Sequence, residues 1–506
     1  MRRHTPSFIL AVWTALAFVA AMLVFAPPGR TADAQTSLPR FEKAECWFVP
    51  PKTKQVACGY LITLEDRTKP AGRQVKLPIV VIKATGAQRK PDPVVFLSGG
   101  PGQGVGLDKK AIEEWWKYDK HWPWMTNRDL VLFEQRGTGL AEPSLNCTEI
   151  DDRGIELLQA MRDAARVRAI YAEATEACRK RLVGTGIDLA HYGTRDTATD
   201  LAELRQALGI KQWNLMGVSY GTRLALATMR DHPEGIRSVV LDSVYPPEVH
   251  AYENRQEGME RSFMKLFDAC ADNDFCRFHY PSLEPALFQT IAWLDEHPLP
   301  VTVDDPRDGT PVKVLVTGQT LVELTRYSLA FSDARYMLPV LLDGVAAVDP
   351  SVLKPVVTGM VSSALGLGLG DDFSVGKYYA VECTEEIPFN DPQAVHKDDM
   401  AHSRFAGFAY QLEDMASCSN WSSGTPDPSL KAPVTSAIPT LILSGEMDPI
   451  TPREFADVAD RRLKNGHLVE VLGVGHSTLT TAQCAATTAA GFLNNPGAAV
   501  PEHCSD

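Results

Sequence analysis

A chain of 506 residues, 44% of them hydrophobic, is long enough for two or three domains and a large core. Its formal net charge of −13 makes it a poor match for nucleic acid or an anionic lipid surface, and the plain reading of that charge is solubility. No Cys-x-x-Cys and no His/Cys cluster at zinc spacing occurs, so neither a metal nor another cofactor is expected.

Arg2 and Arg3 precede an apolar run from about Phe8 to Phe25, and Ala32-Asp33-Ala34 has the small-x-small pattern of a cleavage site. Residues 1–34 therefore read as a secretory signal cut after Ala34; an uncleaved membrane anchor is the other reading of so long a run. No cysteine follows that run until Cys46, which argues against a lipid-anchored start. Removing the segment leaves the rest more acidic still, and a periplasmic or secreted location is expected.

All ten cysteines follow it: Cys46, Cys58, Cys147, Cys178, Cys270, Cys276, Cys383, Cys418, Cys484 and Cys504. An even count in an exported chain implies disulfides. The sequence leaves their connectivity open; sequential pairing would close five local loops.

The first ordered elements are two β-rich runs, Gly59–Glu65 and Val75–Ala84, joined by a turn-like segment and read as a hairpin. Pro93–Ser98 then runs into Gly99-Gly100-Pro101-Gly102, and Leu130–Phe133 into Glu134-Gln135-Arg136-Gly137. Continuous apolar runs that end in glycine loops are the pattern of parallel strands buried on both faces. Residues 150–190 read as helical, and Thr197–Leu208 as an amphipathic helix stopped by Gly209. Two further buried strands, Trp213–Met216 and Ser238–Asp242, flank a helix over Thr222–Arg230. This alternation predicts an α/β fold with a mostly parallel, doubly wound sheet.

After Tyr245-Pro246-Pro247 the rhythm stops. Residues 248–435 read as an inserted, mainly helical cap, with a β excursion over Leu299–Thr317 and a glycine-rich stretch over 365–370. Strand patterns return at Ile438–Gly445 and Leu468–Leu472. The expected organisation is an α/β core over 35–247 and 436–506 that encloses the cap.

Gly217-Val218-Ser219-Tyr220-Gly221 is the stretch that carries chemistry. Gly-x-Ser-x-Gly between a strand and a helix is a nucleophile elbow, where glycines on both sides let two backbones pass and a strained turn lifts the serine hydroxyl clear. Serine hydrolysis needs a base, an acid that orients the base, and donors for the oxyanion. Asp448, in a turn-rich loop after a buried strand, is the candidate acid. A helix cap there is the structural alternative, and Glu446 is the fallback. His476, between Gly475 and Ser477 just beyond the last predicted strand, is the candidate base, and the order Ser, Asp, His is that of α/β-hydrolases. The amides of Tyr220 and of Gly100 (or Gly99) are the candidate oxyanion donors. A phosphate loop is excluded because no Lys-Ser/Thr follows at the required spacing. Arg136 either meets a substrate carboxylate or forms a structural ion pair below the site.

Taken together, Gly-Gly-Pro-Gly, Gln-Arg-Gly-Thr-Gly, Gly-Val-Ser-Tyr-Gly-Thr and Gly-x-x-Asp-Pro-Ile-Thr-Pro followed by Gly-His resemble the proline iminopeptidase and tripeptidyl aminopeptidase family. The resemblance runs from about residue 45 to the C-terminus, loosely through the cap, and is closest to exported members with a tripeptidyl-aminopeptidase-like C-terminal region. It implies a serine exopeptidase acting near the free N-terminus of peptides; some close relatives look like carboxylesterases, so small or lipid-like esters are the alternative substrates. A non-catalytic binding protein on the same fold is the reading from another class, set against candidates for all three triad positions. Two departures stand out: Ser98 where such enzymes usually carry His, and Glu134 where they usually carry Asp. Both bear on proline specificity rather than on the triad. An aminopeptidase must also hold a protonated α-amine. The acids of Glu382-Cys383-Thr384-Glu385-Glu386 resemble a segment of the exported relatives, and Glu385, then Glu386, are the candidate ligands; a solvated acidic loop is the alternative.

Overall fold

The computed structural model describes residues 38–330, 350–367, 373–404, 418–421 and 426–506, with 338, 341–345 and 347 between them. The leader over 1–34 and part of the glycine-rich 365–370 stretch lie outside the described residues.

Ten strands form one sheet in the order β1-β2-β3-β5-β4-β6-β7-β10-β11-β12. Their ranges are β1 Arg40–Ala44, β2 Val56–Leu64, β3 Gln74–Ile82, β4 Val94–Leu97, β5 Leu130–Phe133, β6 Trp213–Val218, β7 Ile236–Asp242, β10 Thr440–Gly445, β11 Gly466–Val471 and β12 His503–Cys504. β1 pairs antiparallel with β2, β2 with β3 and β3 with β5. From β5 onward every pairing is parallel.

The apolar runs have a direct structural reason. In β5, Val131 and Phe133 enter the core on one face while Leu130 and Leu132 enter the core on the other; in β6, Leu215 and Met216 divide the same way. Successive side chains of a strand point to opposite faces, so a sheet covered on both faces needs apolar residues without alternation. Helices supply the cover. α1 Ala164–Gly184 instead buries Ala174 and Leu182 in a separate cluster with Leu145 and Tyr379, whereas α2 Thr194–Ala207 and α3 Tyr220–Asp231 are among those that cover the sheet. α2 starts three residues earlier than the sequence pattern suggests, at Thr194, and buries Leu201 and Leu204.

β7 and β10 are neighbours in the sheet, yet nearly two hundred residues separate them. That stretch carries α4 Arg255–Asp272, α5 Leu283–Glu296, the β8–β9 hairpin (Leu299–Asp304 and Pro311–Val316), α6 Gly318–Ala330, α7 Pro350–Ala364 and α8 Val375–Val381. Phe263, Leu287, Val301, Val314 and Leu321 build a separate hydrophobic core there, joined by Met447 from the loop after β10. The chain then completes the sheet with α9 Arg453–Asp460 and α10 Gln483–Asn494 around β11.

Five disulfides pair the cysteines sequentially: 46–58, 147–178, 270–276, 383–418 and 484–504. The last ties α10 to the short edge strand β12, and the fourth anchors the end of α8. Among the described residues, no helix is long and apolar enough to cross a membrane.

Candidate active site

β6 delivers Ser219 onto a turn at φ 57° and ψ −127°, and α3 starts at the next residue. A left-handed serine is strained, and the close approach of strand and helix is what maintains it. A Cβ on Gly217 would lie 2.4 Å from the Gly221 carbonyl oxygen, and one on Gly221 only 2.0 Å from that of Leu97. Gly221→Ala is therefore expected to lower stability by about 1–3 kcal/mol, as overpacking does, and to lower activity with it. Urea unfolding beside a rate assay checks this, and a variant of unchanged stability would contradict the close approach.

Asp448, on the loop after β10, places Oδ2 2.7 Å from His476 Nδ1. The same carboxylate accepts from Thr451 Oγ1 at 2.8 Å and from the amides of Ile450 and Thr451 at 2.8 and 3.0 Å. It thus caps its own turn and holds the imidazole at once. Both side chains are buried. Burial opposes a charged imidazole, but the neighbouring Asp448 carboxylate outweighs it and raises the His476 pKa above its ordinary value. Burial likewise pushes Asp448 up, and the charge and hydrogen bond of His476 pull it below the usual carboxylate value. An ionised Asp448 fixes the proton on Nδ1 and leaves Nε2 as the basic nitrogen. Glu446 is occupied elsewhere, by the Gly473 amide at 2.9 Å and Lys265 at 3.2 Å.

Ser219, His476, Ser98, Gly99 and Gly100 share the wall of one cavity of about 770 Å³. A Cβ on Gly99 would lie 3.5 Å from Ser219 Oγ, so this loop backs directly onto the Ser219 hydroxyl. Tyr220 is the first helical residue, and its amide has no carbonyl within the helix to bond. The Gly99–Gly104 loop is fixed from both sides. Ser98 Oγ donates to the Gln103 carbonyl at 2.8 Å, Gln135 Nε2 donates to the Ser98 carbonyl at 2.9 Å, and the Ser374 amide donates to the Gly102 carbonyl at 2.7 Å. Ser98 therefore serves the loop's shape where a histidine was the expectation. Glu134 does similar work, accepting from the Val105 amide at 3.1 Å and Thr138 Oγ1 at 2.7 Å. Arg136 is fully buried and holds both oxygens of Asp200 at 2.6 Å, which makes it the structural ion pair and not a substrate ligand.

The acids on the cavity wall differ from those expected. Glu385 is buried, and its Oε1 accepts from the Thr194 amide at 2.7 Å, capping α2. Glu386 is also buried, gripped by Arg223 at 2.7 Å, Lys431 at 2.6 Å and the Ala251 amide at 2.8 Å. Neither faces the cavity; Glu382 does, with Tyr252 and Tyr378 beside it. Tyr252 Oη donates to Glu382 Oε2 at 3.1 Å and lies 3.3 Å from Tyr378 Oη. The reason lies in the backbone: Glu382–Glu386 forms a π-helical turn, whose wider winding shifts the phase of side chains relative to an α-helix. All three acids were visible in the sequence, but their directions were not.

Comparison with known proteins bears on the fold and the class of enzyme. Residues 92–278 match the family described as alpha/beta hydrolase fold, and residues 404–503 match that described as TAP-like protein. The serine protease Hip1 of Mycobacterium tuberculosis is 26% identical, with 94% of each chain covered. A tripeptidyl aminopeptidase of Streptomyces lividans is 26% identical over 86% of this chain and 80% of its own. The chain is an α/β-hydrolase, similar to members of the proline iminopeptidase and tripeptidyl aminopeptidase family. A proline iminopeptidase of Xylella fastidiosa matches a shorter stretch, 28% identical over 35% of this chain and 40% of its own. With such relatives on this fold, the chain is an enzyme, a hydrolase.

Proposed function

We propose that this α/β-hydrolase is an exported serine exopeptidase that cleaves amide bonds near the free N-terminus of peptides. Ser219 Oγ attacks the carbonyl carbon while His476 Nε2 takes its proton, and Asp448 holds the imidazolium. The amides of Tyr220 and Gly100 stabilise the tetrahedral oxyanion. Collapse breaks the C–N bond as His476 returns the proton to the leaving amine. Water, activated by the same imidazole, then releases the acyl group from Ser219. The segment 248–435 serves as a cap over this site. Five disulfides and the leader-like residues 1–34 support export.

The observation that carries the exopeptidase reading is a carboxylate on the wall of the nucleophile's own cavity. Glu382, steadied by Tyr252, is the ligand for the α-ammonium group, the role first assigned to Glu385 and Glu386. A charge-assisted hydrogen bond of this kind contributes about 1.5–3 kcal/mol, so Glu382→Gln is expected to lower kcat/KM for free-amine peptides about 10- to 100-fold. N-acetylated peptides and short-chain esters lack the ammonium group and should lose little. Aminoacyl and tripeptidyl amides assayed beside short-chain esters test the reading as a whole. Turnover of esters alone would replace the peptidase by a carboxylesterase, and an equal loss on all substrates would remove Glu382 from amine binding.

A further inference from the structure

Three non-glycine residues with a left-handed backbone are described, Ser219 at φ 57°, Ser243 at φ 57° and Ser477 at φ 65°. Residues with such a backbone persist only where their surroundings over-determine them. All three surround one buried residue, Asp242, at the end of β7. Its carbonyl oxygen accepts the Ser219 amide at 3.0 Å. Its carboxylate Oδ1 accepts the Thr478 amide at 3.0 Å and Thr478 Oγ1 at 2.8 Å, and Oδ2 accepts the Leu479 amide at 2.9 Å. The next residue continues the clamp, since Ser243 Oγ accepts the Ser477 amide at 2.9 Å. One residue therefore grips the nucleophile turn through its backbone and the loop after His476 through its side chain.

We propose that Asp242 is a positioning residue, which sets the nucleophile turn and the base loop in register for proton transfer between Ser219 and His476. The inference rests on the assignment of those two residues as nucleophile and base. A displacement of about 1 Å between reacting groups lowers a rate about 100-fold, so a clamp at this point acts on kcat. The Asp242 side chain has no exposure to solvent, and burial raises its carboxyl to about 6 against the hydrogen bonds of Leu479 and Thr478. The charge that acts on it is that of protonated His476, and in turn Asp448 and Asp242 both raise the His476 pKa. An ionised carboxylate kept in a site that disfavours its charge destabilises the fold, which points to a use beyond folding.

The test compares Asp242→Asn and Thr478→Val with the unaltered chain, measuring kcat, KM and melting temperature on amide and ester substrates from about pH 5 to about pH 9. Asp242→Asn is expected to lower kcat about 10- to 100-fold with KM little changed and to move the acid limb of kcat/KM to lower pH; the melting temperature gains from the lost buried charge and loses from the hydrogen bond that an Asn Nδ2 cannot accept. Thr478→Val keeps the charge and loses one hydrogen bond, so it should lower kcat less and leave the acid limb in place. An Asp242→Asn variant with unaltered kcat and acid limb overturns the proposal. So does one whose activity falls only in step with a lower melting temperature, with the acid limb fixed. Should Asp242→Asn fail to fold, Thr478→Val decides alone: a selective loss of kcat supports the clamp, and an unchanged kcat overturns it. Ser219→Ala run in parallel keeps the two ideas apart, because activity surviving there sinks the nucleophile assignment and not the measurement on Asp242.

Discussion

Ser219→Ala is expected to lower kcat by about 10⁴- to 10⁶-fold on amides and esters alike, with KM nearly unchanged and the fold intact. In the proposed mechanism this hydroxyl forms the covalent intermediate, and no second nucleophile takes its place. His476→Ala should fall as far, and the double variant little farther, because residues that act as one unit are not additive. Asp448→Asn should lose about 10⁴-fold, since an amide in place of the carboxylate no longer fixes the proton on Nδ1. The pH profile supplies an independent check. The base must be neutral to accept a proton, so kcat/KM falls as pH drops through the His476 pKa, which Asp448 and Asp242 hold above the ordinary 6.5. Its acid limb is expected above that value in the unaltered enzyme and at lower pH in Asp448→Asn. A fluorophosphonate probe should label the unaltered chain and not Ser219→Ala. More than about one percent residual activity in Ser219→Ala would rule out Ser219 as the nucleophile.

The core was legible because its sequence signals have few physical interpretations. Trp213–Val218 is buried throughout since both faces of β6 are covered, with Asn214 its one polar side chain, and Gly217 and Gly221 are required wherever strand and helix backbones nearly touch. Asp448 and His476 follow successive buried strands, β10 and β11, so their meeting is a consequence of the parallel order of the sheet. The edges read less well. β1, with the sequence RFEKA, is half solvated and lacks an apolar run, and β12 is two residues held by the 484–504 bridge. Asp242 was read only as the end of a strand, because its importance comes from amides 236 and 237 residues away. The inserted segment was the least legible. Charged residues there look alike in sequence whether they cap a helix, as Glu385 does, form a buried ion pair, as Glu386 does, or face the cavity, as Glu382 does. A π-helical turn decided among them, and no local sequence signal announces one.

Arg223→Met is expected to destabilise the fold by about 3–5 kcal/mol, the characteristic penalty for leaving a buried charge without its partner. Arg223 lies on α3, one helical turn beyond Ser219. It donates to Glu386 Oε2 at 2.7 Å and stacks 3.8 Å from the centre of the Tyr245 ring. Lys431 Nζ donates to the same oxygen at 2.6 Å, and Asn390 Nδ2 bonds the Glu386 carbonyl at 2.7 Å. This network fastens the π-helical turn that carries Glu382 to the helix that starts just after Ser219. Burial pushes the Glu386 carboxyl up, and the charges of Arg223 and Lys431 outweigh this and hold it below its ordinary value. With a depressed folded-state pKa, its contribution is present above the unfolded value and is lost as pH falls through the folded one. The gap between the two proteins in urea unfolding should therefore be widest near neutral pH and close in acid. Arg223→Met combined with Glu386→Gln should recover part of the loss, because a neutral amide no longer needs two cations. A single variant within about 1 kcal/mol of the unaltered chain would show that Lys431 alone compensates the charge. If the network also positions Glu382, the surviving folded fraction of Arg223→Met should turn over esters better than free-amine peptides, which ties the stability of this buried pair to the selectivity of the site.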